Sequence, residues 1–344
     1  MRNQDHEYTK IENVRLLDTP DDDYAPPDRV MPKISFSVRI NGFLMGGAAI
    51  LFFMPFIPLM IKNSQASAVS VSLVLTFFSG AFSSLLFGSV IGLVALFPSS
   101  YTGGVMSGCG IAGIIASILR IITKVAMPST KDNEKTSFLY FFLGGGVLLL
   151  CFVAYQILLR LAFTRHCMRN YNNTKNGSIN GVESKREVSI KVLLRKVWRE
   201  AFVVFIVFFT TLSLFPGVTG LVQTINSSLG NDWFQIIFVL SFMIGDYIGR
   251  TAPKWIILFT PNNLWIPAVL RLVFFPLFAF CVKPLLFRNI YLYFFIMFVF
   301  ALTNGYCGTL AMMFGPTKAD DHEKEVTGIV MSFFLNFGNF GIPF

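Results

Sequence analysis

The chain is 344 residues long, 54% hydrophobic and only 14% charged, with 39 phenylalanines and a formal net charge of +9. A soluble domain carries nearer a quarter charged residues, so the composition argues against a cytosolic globular protein and for a multi-span membrane protein. The positive balance is no nucleic-acid footprint by itself, because membrane proteins concentrate Lys and Arg in their cytoplasmic loops.

In chain order, residues 1–37 are polar, with the run Asp21-Asp22-Asp23 and the pair Pro26-Pro27. They contain no early apolar core, so no cleavable signal peptide is expected. Apolar windows of about 20 residues, the length that crosses a bilayer, predict eight full spans. These are 38–61, 68–96, 102–126, 137–163, 200–224, 233–256, 263–286 and 289–315, with a shorter ninth at 326–344. The expected class is therefore all-α and polytopic. A cytoplasmic segment at 1–37 precedes four spans in 38–163, a basic cytoplasmic loop over 164–199 and five spans in 200–344.

Orientation follows from the cations. With the 164–199 loop in the cytoplasm, nineteen Lys and Arg fall on its side and six on the other, a strong bias under the positive-inside rule. The N-terminus is then cytoplasmic and the C-terminus extracellular or lumenal. The sequons at Asn172 and Asn176 lie in the basic loop and should be silent, while Asn226 faces outward close to the membrane. Only Tyr171 and Trp198 in that loop could stack on bases. It reads as a solvated segment beside anionic lipid rather than an RNA-binding arm, so the expected partner is the lipid bilayer and no nucleic acid. Of the five cysteines, Cys109, Cys151, Cys281 and Cys307 sit in apolar stretches and Cys167 in the basic loop, so no disulfide framework is expected.

Of 19 acidic residues only Asp246 lies deep in an apolar segment, and Arg250 follows it at i+4 on the same helix face. An isolated charge at that depth costs a few kcal/mol or more, so the two should pair or face a polar cavity. Arg120 and Arg271 are the other deep cations. Such residues mark substrate paths by default, and the competing reading is an ion pair that only sets helix register. Gly88 and Gly92 are spaced as GxxxG, and Gly113 closes a glycine-rich stretch that begins at Gly103. All read as packing positions. Pro216 and five other prolines lie in or at the ends of spans, where kinks and broken helices expose backbone to a cavity. No GxxxxGK[ST] loop, HExxH motif, intramembrane carboxylate pair or Cys/His cluster occurs, so an ATP motor or membrane hydrolase has no support. No enzyme and no cofactor are expected. Facilitated diffusion is the economical reading.

Six segments, in order, resemble the equilibrative nucleoside transporters. Phe97-Pro98-Ser99-Ser100-Tyr101 with Met106-Ser107-Gly108-Cys109-Gly110 is similar to the family's fourth-to-fifth helix junction. Leu214-Phe215-Pro216-Gly217 resembles its seventh helix, Asp246-Tyr247-Ile248-Gly249-Arg250 its eighth, and Arg271-Leu272-Val273-Phe274-Phe275-Pro276 its ninth. Thr303-Asn304-Gly305-Tyr306 resembles the tenth and Thr327-Gly328-Ile329-Val330-Met331 the eleventh. The resemblance implies a major-facilitator-like helical bundle around a central cavity that binds purine and pyrimidine nucleosides. It implies that Asp246 and Arg250 contact the ribose, that Cys109 occupies a base-contacting position where many members have Gln, and that Phe215 stacks on the base. Arg271 and Asn304 join the glycines and Pro216 as packing or gating positions.

The family has eleven spans, and this chain passes from a segment like the lead-in to the first helix to one like the start of the third near Val30–Lys33. The expected function is facilitative nucleoside transport, in the plasma membrane. Two alternatives stand beside it. One is a non-transporting shortened form or fragment acting on a full-length carrier, a homo-oligomer being the expectation for a transporting chain; the other is a nucleobase or organic-cation carrier with proton coupling through Asp246.

Overall fold

The computed structural model describes residues 35–61, 65–126, 133–175, 189–222, 231–282 and 290–339. The N-terminal segment up to residue 34, the Val30–Lys33 junction, Asn176 and Asn226 lie outside the described residues. Among the described residues every regular element is helical. The α-helices of six residues or more are α1 (Phe36–Phe53), α2 (Gln65–Val94), α3 (Ser99–Ala126), α4 (Asn133–Arg160), α5 (Ala162–Lys175), α6 (Ile190–Leu214), α7 (Asn231–Thr251), α8 (Trp265–Leu270), α9 (Phe274–Val282), α10 (Ile290–Thr317) and α11 (Lys324–Gly338).

Among the described residues eight segments are long and apolar enough to cross a membrane. Large apolar side chains such as Phe77, Leu150 and Tyr291 point outward, as expected where lipid rather than water is the solvent. The window at 326–344 yields α11, 15 residues long and ending at Gly338; residues 340–344 lie outside the described set.

Several expected boundaries shift for identifiable reasons. The span at 200–224 begins ten residues early, because α6 starts at Ile190 and buries Leu193, Val197, Ala201 and Val204 along one stripe. Lys and Arg on the opposite face dilute its mean hydropathy. The 164–199 segment also contains α5, which buries Thr164 and Tyr171. Within the window at 263–286, residues 265–282 form two short helices joined by a 3-10 turn at Arg271–Val273, with Pro267 and Pro276 on either side. Proline lacks an amide hydrogen, so Pro276 denies a continuous helix its bond to the Leu272 carbonyl, while Pro267 sits in a first turn that has no such bond to lose. α6 stops at Leu214, where the Phe215–Pro216 peptide bond is cis.

The packing that positions the site is a set of crossings. α7 lies between α10 and α3, and α6 packs on α10 and α11. α1 packs on α2 and α4, and α11 also contacts α2. Phe234, Phe238, Phe242, Phe278 and Phe300 fill one core between α7, α9 and α10, while Val204, Val207, Leu310 and Met331 fill another between α6, α10 and α11. Ionic contacts gather where α11 begins. Arg39 on α1 pairs with Glu325 at 2.8 Å, and the Tyr171 hydroxyl donates to the other Glu325 oxygen at 2.7 Å. Lys196 meets Asp320 and Glu323, and Lys318 pairs with the buried Glu200. Asp320 and Glu323 form a capping box ahead of α11, which satisfies two amides that the helix start leaves open.

Candidate functional site

The site begins with three glycines. Gly245 and Gly249 on α7 and Gly305 on α10 lie where the two helices cross. A Cβ on Gly249 would collide with the Leu302 carbonyl and approach the Tyr306 nitrogen to 2.9 Å. One on Gly305 would collide with the Asp246 carbonyl and lie 2.7 Å from the Arg250 nitrogen. The backbones are therefore in direct contact, as small residues allow inside a membrane. That approach lets a side chain as short as Asn304 reach across to α7.

Asp246 is 4% exposed and Asn304 3%. The Arg250 Nε donates to Asp246 Oδ2 at 2.6 Å, and the Asn304 Nδ2 donates to Asp246 Oδ1 at 2.7 Å. Each carboxylate oxygen thus has one protein donor and retains a second acceptor site. Removing a carboxylate from water costs several kcal/mol, which a charged partner and a further donor offset. Arg250 spends only Nε on this bond, leaving its two Nη groups available as donors. Its guanidinium also lies 6.0 Å from the Phe208 ring centroid.

α3 closes the other side. The Ser107 hydroxyl donates to the Arg250 carbonyl at 3.2 Å, and a Cβ on Gly110 would lie 2.9 Å from the Tyr247 Cα. Cys109, adjacent to that contact, is exposed and carries a free thiol. Gly113 on the same helix accepts the Met243 side chain.

Arg271 sits on the far side of α10 and is 1% exposed. It donates to the Phe300 carbonyl at 2.8 Å, to the Thr303 hydroxyl and to the Thr211 hydroxyl at 2.7 Å, and it lies 4.9 Å from the Phe300 ring centroid. The Thr211 hydroxyl contacts the Asn304 Oδ1 at 2.7 Å. Arg271 is thereby joined to Asp246 through two intervening side chains.

Asp246, Arg250, Asn304 and Arg271 therefore form one connected set, with Cys109 and Gly113 on the adjoining helix. Phe215 is buried in the apolar core, stacked on Phe242 with centroids 4.1 Å apart and planes 9° from parallel, and Pro216 follows it at the end of α6. Gly88 and Gly92 belong to a different contact, facing Ser332 and Ile329 on α11. Sequence reasoning missed Thr211 and Thr303, whose hydroxyls also bond to their own helices, an ordinary fate for Thr in an apolar helix. It also passed over Gly245 and Gly249, although their spacing repeats that of Gly88 and Gly92.

A bundle of apolar spans enclosing a hydrogen-bonded carboxylate–guanidinium pair defines a multi-pass integral membrane protein with a polar site among its helices. The family model described as nucleoside transporter matches residues 70–340, and the chain belongs to that family. It is 30% identical to equilibrative nucleoside transporter 1 of Homo sapiens over 343 residues, spanning 89% of this chain and 74% of the relative. It is 28% identical to equilibrative nucleoside transporter 2 of Rattus norvegicus, spanning 88% and 76%. With equilibrative nucleotide transporter 8 of Arabidopsis thaliana it shares 27% identity over 89% of this chain and 77% of that protein.

Proposed function

We propose that the chain carries purine and pyrimidine nucleosides across the membrane by facilitated diffusion, exposing one site alternately to either side. The observation that carries this reading is the Asp246–Arg250 pair, held at the α7–α10 crossing by Asn304 in a chain of this family. Sugar hydroxyls both donate and accept. The open acceptor sites of Asp246 and the Nη groups of Arg250 complement a vicinal diol, and each such charge-assisted bond contributes about 1.5–3 kcal/mol. Cys109 borders the base. No reacting group is required, since binding and release suffice for the task.

The charge bias supports a cytoplasmic N-terminus, a cytoplasmic 164–199 segment and an extracellular or lumenal C-terminus, and the plasma membrane is the proposed location. The test is uptake of labelled uridine and adenosine by nucleoside-transport-deficient cells expressing this chain, with surface biotinylation in parallel. Saturable uptake of both is expected. No uptake at normal surface abundance would refute the reading.

A further inference from the structure

Arg271 is a buried cation for which no carboxylate lies in ion-pair range among the described residues. Its Nε has no acceptor, and its charge is met by one carbonyl, two hydroxyls and the faces of Phe300 and Phe274. A guanidinium can only donate, so Thr211 Oγ1 must accept from Arg271 Nη2. At the other end an ionised carboxylate can only accept, so the Asn304 amide group must point at Asp246. That leaves the Asn304 carbonyl facing Thr211 at 2.7 Å, a distance that requires the hydroxyl to donate. The hydroxyl has one hydrogen, and the Val207 carbonyl at 2.8 Å is its alternative acceptor. Every bond in the series Arg271, Thr211, Asn304, Asp246 therefore runs one way, with its direction set by the two ends.

We propose that this one-way relay makes Arg271 a positioning residue for the sugar-binding carboxylate. By filling an acceptor site of the Thr211 hydroxyl, it disfavours donation there by the Asn304 amide and so reinforces the orientation that Asp246 imposes. The carboxylate then keeps one orientation, with its remaining acceptor sites presented to a diol. The relay also ties the site to the break between α8 and α9, where Arg271 lies. This inference rests on the transport reading and adds how the site tells a hydroxylated sugar from a bare one.

The test uses Thr211→Val, which removes the hydroxyl and keeps the shape. Uptake of uridine is compared with that of 2′,3′-dideoxyuridine at matched surface abundance. The intact chain should prefer uridine. The variant should raise the uridine KM about tenfold or more, the loss expected when a charge-linked hydrogen bond fails, and leave the dideoxy KM unchanged. Thr211→Ser should restore the preference. A purely structural role would lower the maximal rate for both compounds alike. An undiminished uridine preference in Thr211→Val overturns the relay while leaving the transport reading intact. No uptake by the unaltered chain overturns both. If Thr211→Val does not reach the surface, Thr211→Ala carries the same comparison with the same deciding outcomes.

Discussion

The amide of Asn304 donates to Asp246 Oδ1 at 2.7 Å across the crossing of α7 and α10, linking residues 58 positions apart in the chain. The contact exists because Gly305, beside Asn304, and Gly249, beside Arg250, let the two backbones touch. The polar centre of the protein is thus built on a packing detail, and the first prediction concerns that detail.

Gly249→Ala would drive a Cβ into the α10 backbone, which cannot yield as a side-chain tip can. Overpacking of this kind costs about 1–3 kcal/mol. The thermal midpoint of the purified protein in detergent should fall, and uptake should fall with surface abundance. Gly104→Ala is the control, since nothing lies within 4 Å of its Cβ position. Its midpoint should stay level or rise slightly, because Ala is the better helix former. Equal midpoints for both variants would contradict the close crossing.

How much of this was legible beforehand differs from residue to residue. The i, i+4 spacing of Asp246 and Arg250 alone puts the two on one face, and they are 2.6 Å apart. The apolar windows reveal most membrane segments, since hydropathy reports the solvent a helix needs. What spacing within one helix cannot report is a partner on another. Asn304 and Thr211 look like ordinary polar residues in apolar spans until α6, α7 and α10 are packed together. Arg271 sits in an apolar window, and its deep position is visible, but not that carbonyl and hydroxyl oxygens replace a carboxylate partner. α5 escapes because a polar helix that buries only a few side chains leaves no apolar run.

The Arg39–Glu325 pair joins α1 to α11, and both side chains are largely buried. Glu325→Gln should lower the thermal midpoint by the equivalent of about 1.5–3 kcal/mol, the value of a hydrogen bond to a charged group. Exchanging the two charges in Arg39→Glu with Glu325→Arg should recover part of the loss seen in either single reversal. A double reversal as unstable as the sum of the singles would show that the pair contributes nothing.

Tyr171 adds a pH dependence to the same cluster. Burial first, and then the Glu325 carboxylate, raise its phenol above the ordinary tyrosine range. A group whose pKa is raised on folding contributes stability that is complete below the unfolded value, about 10, and lost only above it. The midpoint difference between the parent and Tyr171→Phe should therefore be constant from neutrality to about pH 9 and shrink in stronger alkali. A difference that already falls near neutrality would contradict the Tyr171–Glu325 bond.

Cys109 is exposed beside the α3–α7 contact that carries Arg250. In a chain whose other four cysteines are serine, a small maleimide should label it, Cys109→Ser should abolish that label, and saturating uridine should slow labelling severalfold. Labelling at the same rate with and without uridine would remove Cys109 from the border of the site.

The most direct test of the account is uridine uptake by Asp246→Asn and Arg250→Ala, each at surface abundance matched to the parent. Both variants leave Gly249 and Gly305 at the crossing unchanged but lose one half of the charged pair. Each variant should lose uptake at least about tenfold, as expected for the loss of a charge-assisted bond to the sugar. Parental uptake in both variants would contradict it, and would leave the pair as a structural clamp between Asn304 and α7.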